Sequence, residues 1–194
     1  MTEEILNNSF QNKISNFIKK KLKYLITIAF FLILILFGYF FYKDVKKKNE
    51  IQVSADYTQA SIQFNQKKID EAKILLENVI NKNHRFYSAL ALYFIIDNNL
   101  EKDSFKIINF FDQILTIKTI DKENLNLIKI KKAIFLLKLE KNEDEIIKIL
   151  NPIINSDSVW SDMAIKLISD YFLSKNQKTK SNEYLELLNN KIKK

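Results

Sequence analysis

A chain of 194 residues with no cysteine and one histidine has no disulfide, thiol nucleophile or thiolate metal site, and cannot assemble a zinc site from nitrogen and sulfur ligands. The formal net charge of +8 divides into +5 on residues 1–50 and +3 on residues 51–194. The excess therefore sits beside an apolar run, and no basic face interleaved with aromatics marks nucleic-acid binding.

Residues 1–23 carry Phe10, Ile14, Phe17, Ile18 and Leu22 at helical spacing, with Lys13, Lys20 and Lys21 between them. This pattern has two readings: lysines that act only as a topology signal, which is the first choice, and a basic amphipathic helix resting on anionic lipid. Residues 24–42 read YLITIAFFLILILFGYFFY, uncharged from Tyr24 to Tyr42 and fenced by lysines on both sides. As a helix they span about 28 Å, close to the hydrocarbon thickness of a bilayer. The tyrosines at both ends suit the membrane interface. A cleaved signal peptide would end at small residues; this run ends Gly38-Tyr39-Phe40-Phe41-Tyr42-Lys43. The expectation is a retained transmembrane helix. Lys13, Lys19, Lys20, Lys21 and Lys23 precede it and Lys43, Lys46, Lys47 and Lys48 follow it, a margin of one charge that leaves orientation open.

Residues 43–50 read as a juxtamembrane helical linker, and residues 51–194 as one domain. The only glycine is Gly38 and the only proline Pro152. A domain without glycine cannot form a P-loop or a dinucleotide-binding turn, and tight β-hairpins also lean on glycine. All-α is the class that remains. Apolar residues three and four apart, broken by short polar clusters, predict helices over 46–66, 68–82, 84–97, 102–117, 121–140, 143–154, 157–174 and 177–192. Asp121, Asn142 and Asp157 are the predicted N-caps, and Glu143, Asp144 and Glu145 suit the positive end of a helix. Pro152 is expected to shorten or kink its helix.

Overlaying the helix pairs aligns Ala60, Ala72, Leu76 and Val79 of the first with Ser169, Ser181, Leu185 and Leu188 of the last. The same frame selects Leu92, Ser104, Ile108 and Phe111 in the second pair and Ile134, Ile146, Leu150 and Ile153 in the third. Small residues at the first two positions admit a close helix approach, and the apolar ones pack against the next pair. Positions 72, 104, 146 and 181 are spaced by 32, 42 and 35 residues, around the 34-residue tetratricopeptide period.

The helix pairs thus resemble degenerate tetratricopeptide repeats. With the single N-terminal span and the segment Val159-Trp160-Ser161-Asp162-Met163-Ala164 leading into the last pair, the chain resembles the bacterial YfgM-type family, ancillary subunits of the Sec translocon. The resemblance implies a single-pass bacterial inner-membrane protein with a cytoplasmic N-terminus and periplasmic repeats. Its implied partners are the translocon, emerging client polypeptides or periplasmic chaperones.

Chemistry is sparsely represented. His84 lies between two helices beside Arg85, no nucleophile-elbow sequence accompanies a serine, and Trp160 and Phe110-Phe111 read as packing. No catalytic, metal or cofactor site is expected, and no small-molecule substrate. The expected function is a non-enzymatic binding scaffold, with homo-oligomers open. Its exposed face draws on Gln59, Gln63, Asn126, Lys129 and Lys166. A constitutive structural subunit, an enzyme with an unrecognised carboxylate site and a cytosolic-facing adaptor are the alternatives, in that order.

Overall fold

The computed structural model describes the backbone of residues 2–139 and 143–192, and side chains from residue 20 onward apart from 23, 25, 191 and 192. The side chains of Phe10, Ile14, Phe17 and Ile18, and the predicted cap Asn142, lie outside the described residues. The chain is all-helical, with no strand among the described residues. In order the helices are α1 (Thr2–Asn65), α2 (Ile69–Asn81), α3 (Tyr87–Asp97), α4 (Ser104–Leu115), α5 (Lys122–Lys138), α6 (Glu143–Ile154), α7 (Ser161–Ser174) and α8 (Lys178–Ile192). Two compact units divide at Ile51 and Gln52.

In the first unit every described side chain from Tyr24 to Tyr42 is exposed. Phe37 is 72 % exposed and Ile35 66 %, and a Cβ added at Gly38 would meet nothing within 4 Å. The apolar residues cover all sides of this stretch, so no neighbouring helix could shield them all. It is long and apolar enough to cross a membrane.

The second unit buries the same residue types in stripes. In α2 the stripe is Ala72, Leu76, Val79 and Ile80; in α4 it is Ile107, Phe110, Phe111 and Ile114; in α6, Ile146, Leu150, Ile153 and Ile154. Consecutive helices from α2 onward pack against one another. One apolar cluster runs from Val53 through α2, α3 and α4 to Ile128, and a second links α5, α6 and α7. Each fully buried Leu, Ile or Phe contributes roughly 1.5–3 kcal/mol relative to exposure.

Of the aligned positions, Ala60, Ala72, Leu76, Val79, Leu150 and Ile153 are fully buried, and Ser169 and Ser181 almost so. The Ser169 hydroxyl lies 2.9 Å from the Ser181 hydroxyl and donates to the Ser181 carbonyl at 3.1 Å, holding α7 close to α8. Ser104 and Ile108 are only half-buried, because α4 turns Ile107 and Phe111 inward. Leu188 is half-buried, and Leu185 is 38 % exposed.

Helix ends explain how the unit turns without glycine. Lys67, Asn83, Asn99 and Asn176 all have left-handed backbones, with φ of 67°, 50°, 52° and 60°. Three of them close the paired-hydrogen-bond motif that ends a helix. Lys68, Leu100 and Gln177 amides reach back to the Gln63, Ile95 and Phe172 carbonyls at 3.0, 2.9 and 2.9 Å. Asparagine tolerates this region better than most side chains; lysine bears the full Cβ clash.

Helix starts differ from the expectation in three places. The helix predicted from residue 46 is the end of α1, which starts at Thr2 and runs unbroken through the apolar stretch and residues 43–50, since no breaker lies between Tyr42 and Gln66. The helix predicted from residue 84 begins at Tyr87, because His84 Nδ1 accepts the Phe86 and Tyr87 amides at 3.1 and 3.2 Å. The helix predicted from residue 157 begins at Ser161, and Asp157 is not its cap. Ser156 Oγ donates to the Ile153 carbonyl at 2.9 Å, and Ser158 Oγ accepts the Trp160 amide at 3.2 Å, so local serine bonds displace the helical ones. Asp121 does cap α5, accepting the Asn124 amide at 3.0 Å. Helix α6 continues two residues past Pro152 to the predicted end at Ile154, so the proline does not shorten it, and the Lys148 carbonyl has no amide to accept at position 152.

Glu101 ties α2 to the start of α4. Its carboxylate accepts the Lys102 and Asp103 amides at 2.8 and 2.9 Å and lies 2.9 Å from Lys73 and 3.3 Å from Lys106. The Asp103 amide bond, then the Lys73 ammonium, hold its pKa down to about 2 against the opposing effect of burial.

Candidate functional site

Helix α5 lies between α4 and α6, and its sequence places a lysine where an apolar residue is due. Lys132 is four residues after buried Ile128 and four before buried Leu136, so helical periodicity puts it on the buried stripe. Its side chain is 8 % exposed. An ammonium so placed requires partners, and both neighbouring helices supply one. Asp112 of α4 receives a hydrogen bond from Lys132 Nζ at 2.8 Å, and Glu145 of α6 lies 3.4 Å away.

Around this bridge is a groove of about 310 Å³ lined by Asp112, Leu115, Lys129, Lys132, Glu145, Lys148, Ile149 and Pro152. Leu115, Ile149 and Pro152 give it an apolar lining. The Asp112 and Glu145 side chains remain 55 % and 43 % exposed, so the groove opens to solvent. Lys129 and Lys148 form no ion pair among the described residues. The arrangement offers a shallow apolar surface and two cations without ionic partners among the described residues. It holds no nucleophile paired with a base.

The five residues expected on an exposed face do not form one group. Gln59 and Lys166 are exposed, Lys129 lines the groove, and Gln63 is half-buried with Oε1 shielded and without a hydrogen-bond partner. Asn126 is a correction: it is 6 % exposed, and its amide donates to Ser158 Oγ at 3.0 Å. Ser158 Oγ in turn donates to Glu123 at 2.6 Å, so Asn126 fastens α5 to the segment before α7. Local spacing places Asn126 on a solvated face of α5, whereas its hydrogen-bond partner lies 32 residues away.

Sequence reasoning missed Lys132, Asp112 and Lys148 as a group and read Glu145 only as a helix-start acid. The available signal was the lysine interrupting the apolar stripe between Ile128 and Leu136. Tyr93, on α3, is a second buried polar group: its hydroxyl has no hydrogen-bond partner, and burial pushes its pKa up to about 12. Lys131 Nζ lies 5.3 Å from the Tyr93 ring centroid. Among the described residues no group of three or more His, Asp or Glu side chains is placed to hold a metal ion.

No protein-family model, curated protein or solved structure matches the chain.

Proposed function

We propose that this protein is a membrane-anchored, non-enzymatic interaction scaffold in which residues 24–42 cross a bilayer and the helix pairs after residue 51 form a tetratricopeptide-like solenoid. The observation that carries the reading is the exposed apolar stretch of α1, charged at both ends, in a chain whose other unit has its own apolar core. A uniformly apolar helix in water would be a severe liability; in lipid it is an anchor. Anchoring confines the helix pairs to a membrane surface, where modest affinity suffices for a partner also held there.

Within this reading the N-terminus is cytoplasmic and the helix pairs occupy the bacterial periplasm, with the translocon, emerging polypeptides or chaperones as partners. The YfgM-type resemblance supplies that topology and those partners. A constitutive subunit is the second reading. Val159, 78 % exposed, and Met163, 45 % exposed and one turn further, favour it as apolar side chains that a permanent neighbour could cover.

Protease protection of the full chain with an epitope after Lys194 tests the topology. Digestion of the helix pairs once the outer membrane is permeabilised is the expected result. Protection until the inner membrane is lysed places them in the cytosol and overturns the periplasmic assignment.

A further inference from the structure

We propose that the groove formed by α4, α5 and α6 docks a partner-protein segment in which one or two apolar side chains are flanked by carboxylates. The proposal deepens the scaffold reading and rests on it. Its basis is the division of charge within the groove. Asp112 and Glu145 both turn toward the buried Lys132 ammonium, at 2.8 and 3.4 Å, and are thereby partly neutralised. Lys129, one turn before Lys132 on α5, and Lys148, on α6, have no such partner among the described residues. Two acids against three lysines leave the groove lining at a net charge of +1, with the cations of Lys129 and Lys148 outside the Lys132 bridge, and a carboxylate can meet them without first displacing an internal ion pair.

The apolar part of the occupant follows from the lining. Leu115, Ile149 and Pro152 come from α4 and α6, with the α5 cations between and beside them. A leucine-sized side chain placed there would lose apolar surface to water, while carboxylates on either side reach Lys129 and Lys148. The proline contributes rigidity and leaves no amide to be desolvated at its position. Because all eight lining residues stand on helices, the surface is already formed before binding, which limits the ordering cost. An uncharged or basic segment would instead meet Lys129 and Lys148 without compensation, so the groove selects by charge as well as by shape.

The test is peptide binding to the full chain in nonionic detergent micelles, which is independent of membrane topology. The probe is a fluorescein-labelled peptide with a Glu-Glu-Leu-Leu-Glu-Glu core, alongside a version with every Glu replaced by Gln. Fluorescence anisotropy is expected to show saturable binding of the acidic peptide that weakens with salt. Lys129→Glu/Lys148→Glu is expected to weaken it at least tenfold with unchanged helical circular dichroism, and the Gln peptide is expected to bind equally poorly to both chains. Lys132→Met, which frees Asp112 and Glu145 to repel the peptide, is expected to weaken binding while removing the buried charge. Equal affinity of the acidic peptide for the parent chain and the Lys129→Glu/Lys148→Glu variant overturns the groove assignment and leaves the scaffold reading to other surfaces. Absence of binding to the parent chain also overturns it, and the protease-protection result then stands or falls by itself.

Discussion

The two compact units use the same side chains to opposite ends. Between Tyr24 and Tyr42, Phe, Ile and Leu surround the helix and lie exposed; beyond residue 52 the same types supply the buried stripes of α2 to α7. Hydrophobicity alone does not distinguish the two, since α3 is also strongly apolar, with Ala91, Leu92 and Ile95 fully buried. Length and the presence of partners do. Eleven residues of α3 are too short to cross a bilayer and are covered by their neighbours, whereas the α1 stretch is long enough to cross one and uncovered. What is available to shield an apolar helix therefore decides whether it is a core element or a candidate membrane span.

The largest expected effect comes from removing one aromatic ring from each unit. Phe111, fully buried in α4, is expected to cost about 3–5 kcal/mol on replacement by Ala, through lost burial and the cavity left behind. Phe37→Ala, in the exposed stretch, is expected to leave unfolding of the second unit within about 0.5 kcal/mol of the parent. Urea unfolding of the full chain in detergent, followed by circular dichroism, measures both. A similar loss from the two substitutions would break the division into independently stabilised regions.

An intermediate effect is expected on acidification. Glu101 has a folded pKa of about 2 against an ordinary value of 4.5, so its ionised form is favoured by folding. Its contribution is complete above pH 4.5, falls as pH drops through the interval from 4.5 to 2, and is absent below it. Glu101→Gln is expected to lower the thermal midpoint at pH 7 and to flatten its decline across that interval. Parallel melting curves for parent and variant from pH 7 to pH 2.5 would remove Glu101 as a source of the acid sensitivity.

The smallest expected effect sharpens the account of the turns. Lys67→Gly is expected to stabilise the second unit by about 0.5–1 kcal/mol, as relief of the left-handed Cβ clash outweighs the added freedom of the unfolded chain. Asn99→Gly is expected to gain less, since asparagine already tolerates that backbone. The same urea experiment ranks the two, and a loss of stability at position 67 would show that the lysine side chain has a role its backbone strain conceals.

Much of this was legible from periodicity. The all-helical class and all eight helices follow from apolar spacing and polar breaks, and the boundaries of α2, α4, α6 and α8 fall within about two residues of the expected ones. The start of α5 was legible from Asp121. The start of α7 was not, because the serine bonds that displace the helix depend on neighbours: Ser158 is held by Glu123, 35 positions away. The groove was half legible. Lys132 stands on an apolar stripe in plain sequence, but its partners lie 20 and 13 positions away on two other helices.

The secondary structure and the contrast between an apolar helix and an amphipathic array are properties of the sequence, because both depend on residues within a few turns of one another. Packing between helices sets which face of α4 turns inward, which polar residues are buried and which lysines find an ionic partner among the described residues. Those outcomes depend on helices far apart in the chain meeting at angstrom distances, where a buried charge or amide must find a partner. Local spacing can place Lys132 on the buried side of its helix; only packing could bring it Asp112 and Glu145, and so leave Lys129 and Lys148 for something else.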